Sequence, residues 1–248
     1  MNEWLSYRPS DFLMFAPRTY WRLFELHNEA WWPAQPLLLL AGLLCLAWGL
    51  GRAPAALRAG AAGLAAASAF VAVAFLLPRY APINWAASGF AVAFVVQALG
   101  LAALATRVDL HRAPSGARRG IGALLCGWAL LGHPLLAPAF GRPWVQGEFF
   151  ALAPDPTAIA TLGFLLCAGA AGRVTRWLLR LLWALAAAWC VVSAATLWTM
   201  GSAQAWLVLA AAPFALVAVL VGRRAERRAA PGPMEAAGAS ARGRLLRP

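Results

Sequence analysis

Long apolar runs separated by short polar segments make up most of this chain of 248 residues. Seven of the runs have roughly the 17–24 residues that a helix needs to cross a lipid bilayer. In chain order they cover residues 36–51, 59–77, 83–106, 120–139, 156–171, 177–200 and 203–221. The pattern predicts an all-α integral membrane protein, with a bundle of about seven transmembrane helices over residues 36–222.

Residues 1–35 break this pattern, because charged side chains interrupt every apolar stretch and leave neither a cleavable signal nor a span. From Arg18 to Glu29 the charges recur at steps of four, three and four, which places them on one face of a predicted helix. Aromatic residues such as Tyr20 and Phe24 share another face. An amphipathic helix of this kind lies in the membrane interface. Its charged side is a candidate docking or interfacial face made of Asp11, Arg18, Arg22, Glu25 and Glu29.

The composition supports the membrane class. Hydrophobic residues make up 62% of the chain and charged residues only 12%, against about 25% charged in soluble domains. Every basic residue is arginine, which together with abundant alanine is typical of a GC-rich bacterial genome. The four cysteines lie inside apolar runs, with no paired spacing, and are predicted to be packing residues. We therefore expect no metal site and no cofactor.

The distribution of arginine predicts the orientation in the membrane. With the N-terminus outside, the internal loops and tail carry sixteen arginines and the external segments carry five. The positive-inside rule then predicts a multi-pass protein of the bacterial inner membrane with a cytoplasmic C-terminus. Residues 223–248, rich in arginine, alanine, glycine and proline, are predicted to be a disordered cytoplasmic tail.

The same distribution bears on partners. Arginines spread over short loops do not form the single basic patch of a nucleic-acid-binding surface, so nucleic acid is not an expected partner. The expected partners are the lipid bilayer and either another membrane protein or a second copy of the chain.

Few polar side chains lie at lipid depth, and no aspartate, glutamate or arginine lies near the middle of a predicted span. This argues against an ion-driven pump. Asp155, between two prolines, is predicted to be the N-cap of the following helix, with Pro156 in its first turn. His133 precedes Pro134, where bonding to a freed backbone carbonyl is the commoner role. The alternative is an outer vestibule formed by His133, Arg142, Glu148, Asp155, Thr157 and Thr161.

Two stretches resemble a known family. They are Tyr7-x-Pro9-Ser10-Asp11-Phe12-Leu13-x-Phe15-x-Pro17-Arg18-x-Tyr20-x-Arg22-Leu23-x-Glu25-x-x-Asn28, and Pro154-Asp155-Pro156-Thr157 with Thr161-Leu162-Gly163. The chain up to about residue 221 is similar to a family of bacterial multi-pass membrane proteins that has no assigned function. Many of its members have cysteine in place of Asp155, which speaks against a thiol or metal role for this position here. The resemblance implies a fold and a compartment, but no activity.

Three functions follow from these observations. The first is a permease-like or channel-like protein that handles a small solute at an outer vestibule. The second is an accessory or assembly subunit of a larger membrane complex, docked through its N-terminal segment. The third is a membrane enzyme that acts at the outer face. We rank the third last and expect no catalytic residue, because the chain lacks phosphate-loop, zinc-protease and serine-hydrolase motifs.

Overall fold

The computed structural model describes residues 13–50, 54–113 and 115–229. Asp11, part of the predicted docking face, and residues 230–248 of the predicted tail lie outside these ranges. The elements are the helices α1 (Pro17–Ala30), α2 (Ala34–Leu50), α3 (Pro54–Phe70), α4 (Ala87–Ala105), α5 (Gly116–Gly127), α6 (Leu136–Ala139), α7 (Pro154–Cys167), α8 (Arg173–Thr199) and α9 (Gln204–Ala229), and the strands β1 (Leu110–Arg112) and β2 (Ala168–Ala170).

Two long helices change their winding along their length. α3 continues without a break into a π-helical stretch, Val71–Tyr80. α5 continues through Trp128–Gly132 (π) and His133–Leu135 (3-10) into α6. A 3-10 turn, Trp144–Gln146, precedes α7.

Five helices in the described part of the chain are long and apolar enough to cross a membrane. They cover Ala55–Tyr80, Ala87–Ala105, Gly116–Ala139, Arg173–Thr199 and Gln204–Gly222. α1 and α2 together would add a sixth, but an 86° bend separates them. The predicted class, a helical protein with several helices that could span a membrane, is confirmed.

The predicted fifth span, 156–171, differs from the structure at its far end. α7 has only 14 residues, because the chain becomes extended at Ala168 and forms β2. β2 pairs antiparallel with β1, so that Leu110 faces Ala170 and Arg112 faces Ala168. The glycines at 169 and 172 favour this ending, since glycine is a poor helix former. The β1–β2 ladder makes a small exception to the all-α prediction.

The predicted tail also differs from the structure at its start. α9 ends at Ala229, so it includes the first seven residues of the segment that was predicted to be a disordered tail from residue 223.

The helices alternate in direction, so their ends form two faces. The end with α1 and the loops around residues 81–86, 140–153 and 200–203 is called the α1 end. The opposite end, with the β1–β2 ladder, is called the ladder end. α5 and α7 cross at close range between them: a Cβ added to Gly122 would lie 2.5 Å from the carbonyl oxygen of Gly163. Small residues permit such backbone contact between membrane helices.

α1 packs across the bundle through its aromatic face. The rings of Phe24 and Phe75 are stacked with centroids 4.8 Å apart, and Tyr20 meets Tyr80 edge to face at 5.7 Å. His27 is also buried, and neither of its ring nitrogens has a hydrogen-bond partner among the described residues. α1 is therefore amphipathic: its aromatic face is part of the core, and its charged face is exposed.

Candidate functional site

A non-helical segment, residues 147–153, enters the bundle from the α1 end and leads into α7. Six of its seven residues are buried. At Ala151 the backbone has φ 65°, a left-handed conformation that is rare for residues other than glycine. Thr157 holds this turn, since its Oγ1 accepts a hydrogen bond from the Ala151 N–H at 3.0 Å and donates to the Ala153 carbonyl at 2.7 Å. Irregular backbone at membrane depth is tolerated where protein surrounds it in this way.

The prediction that Asp155 caps α7 is wrong. The N-cap is Ala153, with extended backbone angles, and the helix begins at Pro154 rather than after Asp155. The reason is that proline also suits the first helical position, so either proline of the pair could begin the helix. No side chain caps α7, and the carboxylate of Asp155 is instead directed toward α8.

Asp155 accepts two hydrogen bonds from neutral groups on α8. Trp189 Nε1 donates to Oδ1 at 2.8 Å, and Ser193 Oγ donates to Oδ2 at 2.6 Å. Trp189 lies ten residues before the end of α8, which at about 1.5 Å per residue puts this contact about 15 Å inside the bundle. Asp155 itself is only 1% exposed.

His133 and Glu148 meet beside Asp155. His133 Nε2 lies 3.1 Å from Glu148 Oε2, and one ligand-type atom from each of the three residues lies within 4.8 Å of the others. All three are buried, and His133 Nδ1 has no hydrogen-bond partner in the described part of the chain. We call His133, Glu148 and Asp155 the carboxylate–histidine cluster. It unites three residue types that bind metal ions, although the sequence predicted no metal site.

A chain of hydrogen bonds leads from the cluster toward the surface. Gln204 Nε2 donates to Glu148 Oε1 at 2.9 Å, and Arg142 donates to Gln204 Oε1 at 2.6 Å. The Arg142 guanidinium also donates to the Gln146 carbonyl at 3.3 Å. The Gln146 side chain in turn donates to Glu25 Oε2 at 3.0 Å. Glu25 pairs with exposed Arg22, so the chain runs from the cluster to the outer side of α1.

α1 is tied to the same loop at a second point. Asn28 Nδ2 donates to the carbonyls of Val145 and Gly147, at 2.7 and 2.8 Å. Gln35, from the start of α2, donates to the Asn28 carbonyl at 2.7 Å. The Arg142 guanidinium also lies over the ring of Trp21, 3.4 Å from its centroid. α1 thus covers the loop that carries Glu148.

Glu148 is buried beside His133 and accepts a hydrogen bond from the amide of Gln204. Among the described residues no arginine forms a salt bridge with Glu148 or Asp155. The charge of the cluster is therefore only partly balanced.

The structure separates the predicted site residues into three groups. His133, Glu148 and Asp155 form the cluster, and Arg142 reaches it through Gln204. Thr157 and Thr161 serve the backbone, since Thr161 Oγ1 donates to the Thr157 carbonyl at 2.8 Å. These side chains are closed off from solvent rather than lining an open vestibule, apart from the half-exposed Arg142.

Of the predicted docking face, three residues are exposed: Arg18, Arg22 and Glu29. Glu25 is half-buried and belongs to the hydrogen-bonded chain. Sequence reasoning missed Gln204 and Trp189. Gln204 was hidden by its position at the edge of an apolar run, and Trp189 could not be distinguished from a lipid-facing aromatic residue. The amide side chains of Gln204, at the edge of that apolar run, and of Asn28, in the predicted amphipathic helix, were the signal in the sequence.

Comparison with known proteins gives a family without an activity. No curated protein and no solved structure matches the chain. One family of unknown function matches over residues 18–230, which confirms the predicted membership of such a family. The match covers the cluster, the hydrogen-bonded chain and all of the described helices except the first residue of α1. The chain belongs to the family of unknown function DUF6064.

Proposed function

We propose that this protein is a permease-like protein of the bacterial inner membrane that carries a small cationic solute through the carboxylate–histidine cluster. One observation carries the proposal: three ionisable side chains meet at a buried, non-helical segment inside a bundle of apolar helices. Ionisable residues at membrane depth are costly and commonly mark solute or ion pathways. The start of a helix within the bundle is also a feature of transporter binding sites.

The charge of the cluster supports a cation as the solute. Two carboxylates share the site, and the nearby guanidinium of Arg142 contacts Gln204 rather than either carboxylate. An anion would have to enter beside both carboxylates, whereas a cation would complete the charge balance.

The proposed topology has seven spans and an external N-terminus. It counts α2 and α7 together with the five longer helices. α7 reaches only about 21 Å at 1.5 Å per residue, and the buried segment 147–153 completes its path across the bilayer. The described arginines of the ladder end, which we place in the cytoplasm, are Arg58, Arg107, Arg112, Arg118, Arg119, Arg173 and Arg176.

In this topology α1 covers the external entrance. Its contacts with the loop are the hydrogen bonds of Glu25 with Gln146 and of Asn28 with two carbonyls, and the stacking of Arg142 on Trp21. Hydrogen bonds of this kind can exchange with water at a net cost of about 1 kcal/mol each. Local opening of these contacts, with the aromatic face of α1 still packed on the bundle, would expose Gln204 and then Glu148, so solute would approach along the existing hydrogen-bonded chain. The proposal assigns no catalytic reaction to the protein.

The test is flux of small cations into proteoliposomes. Methylammonium, ammonium, K⁺ and Mn²⁺ are offered one at a time, with uptake followed by isotope, by ion electrode or by a trapped indicator. We expect one of them to enter faster than into empty liposomes, and expect Glu148→Gln to abolish the difference. Glu29→Gln, which removes an exposed carboxylate of α1 outside the chain, is the matched control and should keep the flux.

Equal permeability of liposomes with and without protein to every cation on the panel would contradict the permease proposal.

The proposed orientation in the membrane is tested by protease accessibility. A protease added to intact spheroplasts should remove a tag from the N-terminus and leave a tag on the C-terminus. The docking role of Arg18, Arg22 and Glu29 stays a prediction, and Arg22→Glu in a mild-detergent pull-down would test it.

A further inference from the structure

The carboxylate–histidine cluster has the composition of a transition-metal site. One imidazole and two carboxylates provide one nitrogen and up to four oxygen atoms, a set that suits Zn²⁺, Mn²⁺ and Fe²⁺. An all-oxygen site would favour Mg²⁺ or Ca²⁺, and thiolates would favour Cu⁺. None of the cysteines in the described part of the chain belongs to the cluster.

The spacing of the donor atoms fits a common ion. Two atoms that both lie about 2.1 Å from one ion, at tetrahedral or octahedral angles, are about 3.0–3.4 Å apart. His133 Nε2 and Glu148 Oε2 are already 3.1 Å apart. The remaining separations are within 4.8 Å, so a small shift of one side chain on ion binding would bring the third donor into range.

Neighbouring side chains orient the donors, as they do around known metal sites. The Gln204 amide fixes one oxygen of Glu148 and leaves Oε2 facing His133. Trp189 and Ser193 fix the carboxylate of Asp155 from α8. Each carboxylate therefore has an orienting partner that is neutral and hence does not compete with a cation for its charge.

Because the cluster is buried, it should attract a cation more strongly than an exposed acidic patch does. His133, Glu148 and Asp155 are 1%, 2% and 1% exposed, so water does not screen their charges. A divalent cation bound between them would neutralise the two buried carboxylates.

We propose that His133, Glu148 and Asp155 bind one divalent transition-metal ion, of the Zn²⁺, Mn²⁺ or Fe²⁺ class, through Nε2 and two carboxylate oxygens. This inference rests on the proposed function in one respect: it names the class of cation that the permease would carry. The site itself depends only on the geometry of the cluster.

The test is binding of Zn²⁺ and Co²⁺ to the purified, tag-free, full-length protein in nanodiscs. After equilibrium dialysis, elemental analysis should give one ion per chain. Glu148→Gln, Asp155→Asn and His133→Ala should each lower the affinity by at least tenfold. Asp109→Asn is the matched control, because Asp109 also accepts two hydrogen bonds near a helix start but lies at the ladder end. It should bind as the wild type does.

The Co²⁺ spectrum of the wild type tests the ligands without any substitution. We expect d–d bands of a nitrogen–oxygen site and no thiolate charge-transfer band. Absence of bound ion, unchanged affinity in all folded cluster variants, or a thiolate band would each overturn the inference. Metal binding without flux of any cation on the panel would keep the metal site and contradict the permease proposal. Flux of methylammonium without metal binding would keep the permease proposal and contradict the metal site.

Discussion

Asp109 and Asp155 each lie near the start of a helix and each accept two hydrogen bonds, yet their surroundings differ. Asp109, in the loop at the ladder end, accepts from Gly172 N and from Thr175 Oγ1, both at 2.8 Å, and so joins its loop to the first turn of α8. Arg107 lies 3.4 Å away and balances its charge. The hydrogen bond from Thr175, supported by Gly172 and Arg107, holds the pKa of Asp109 below its usual value. A structural role explains this residue fully.

Asp155 also joins two elements, since its hydrogen bonds link α7 to α8. Both donors, Trp189 and Ser193, are neutral, and the other carboxylate of the cluster, Glu148, lies beside it. It neither caps α7 nor forms a salt bridge with arginine among the described residues. A carboxylate that only stabilised a helix start would be placed as Asp109 is, close to solvent and an arginine. The contrast supports the proposal that the cluster at the α1 end binds a ligand.

The largest expected effect comes from the packing that places Asp155. A Cβ added to Gly163 would lie 2.6 Å from the carbonyl oxygen of Gly122 and 2.9 Å from the backbone nitrogen of Cys126. Gly163→Ala must push α7 away from α5, and we expect a loss of about 3 kcal/mol in stability. Thermal unfolding in detergent measures it. Gly127→Ala is the control. Gly127 lies in α5, the helix that α7 crosses, and its added Cβ would have nothing within 4 Å, so the substitution should be neutral or slightly stabilising.

Amide substitutions should act with opposite sign on the two aspartates. Asp155→Asn removes one of two buried carboxylates whose ligand atoms lie within 4.8 Å of each other, and so relieves the crowding of like groups. The new amide can still accept from Trp189 and can donate to Ser193. We expect the metal-free protein, with a chelator present, to become more stable. Asp109→Asn should lower the melting temperature slightly, and a fall for both variants would remove the contrast.

Acid should loosen the α1 end before the ladder end. On α1, outside the spanning helices, burial and then the charge of Arg79 lower the pKa of His27 to about 4. The unfolded chain takes up this proton near pH 6.5, earlier than the folded protein, so stability falls as the pH drops from about 6.5 to about 4. Proteolysis of α1 across this range measures the effect.

His27→Phe is the matching substitution. It should remove that pH dependence and raise stability by about 2 kcal/mol, because it also removes two buried nitrogens that have no partner. An unchanged pH profile in the variant would mean that another group titrates.

The smallest expected effect is at Arg142, which links the cluster to α1 without contacting a carboxylate. Arg142→Gln loses the hydrogen bond to Gln204 and the stacking on Trp21, at a cost of about 1 kcal/mol. Metal affinity should fall less than for any cluster variant. A loss equal to that of Glu148→Gln would mean that Arg142 is itself part of the binding site.

The apolar pattern was sufficient to predict the helices but not the contacts between them. Helix length and amphipathicity are local properties, and they located α1 and the long spans. The ending of α7 depended on pairing between Ala168–Ala170 and a strand some 58 residues earlier, which no local pattern reports. Polarity marked His133, Arg142, Glu148 and Asp155 as candidates. Their convergence depends on helix packing, including the Gly122–Gly163 contact, and one sequence does not contain that information directly.

The β1–β2 ladder constrains how the protein can work. β2 follows α7 without a break and is paired along its length with β1, so the far end of α7 is anchored to the rest of the chain. An elevator-type cycle, in which the binding helix travels across the bilayer with its cargo, would have to break that anchor on every turnover. For the proposed permease, a stationary binding site with barriers that open in turn on either side of it is the kind of cycle this architecture allows.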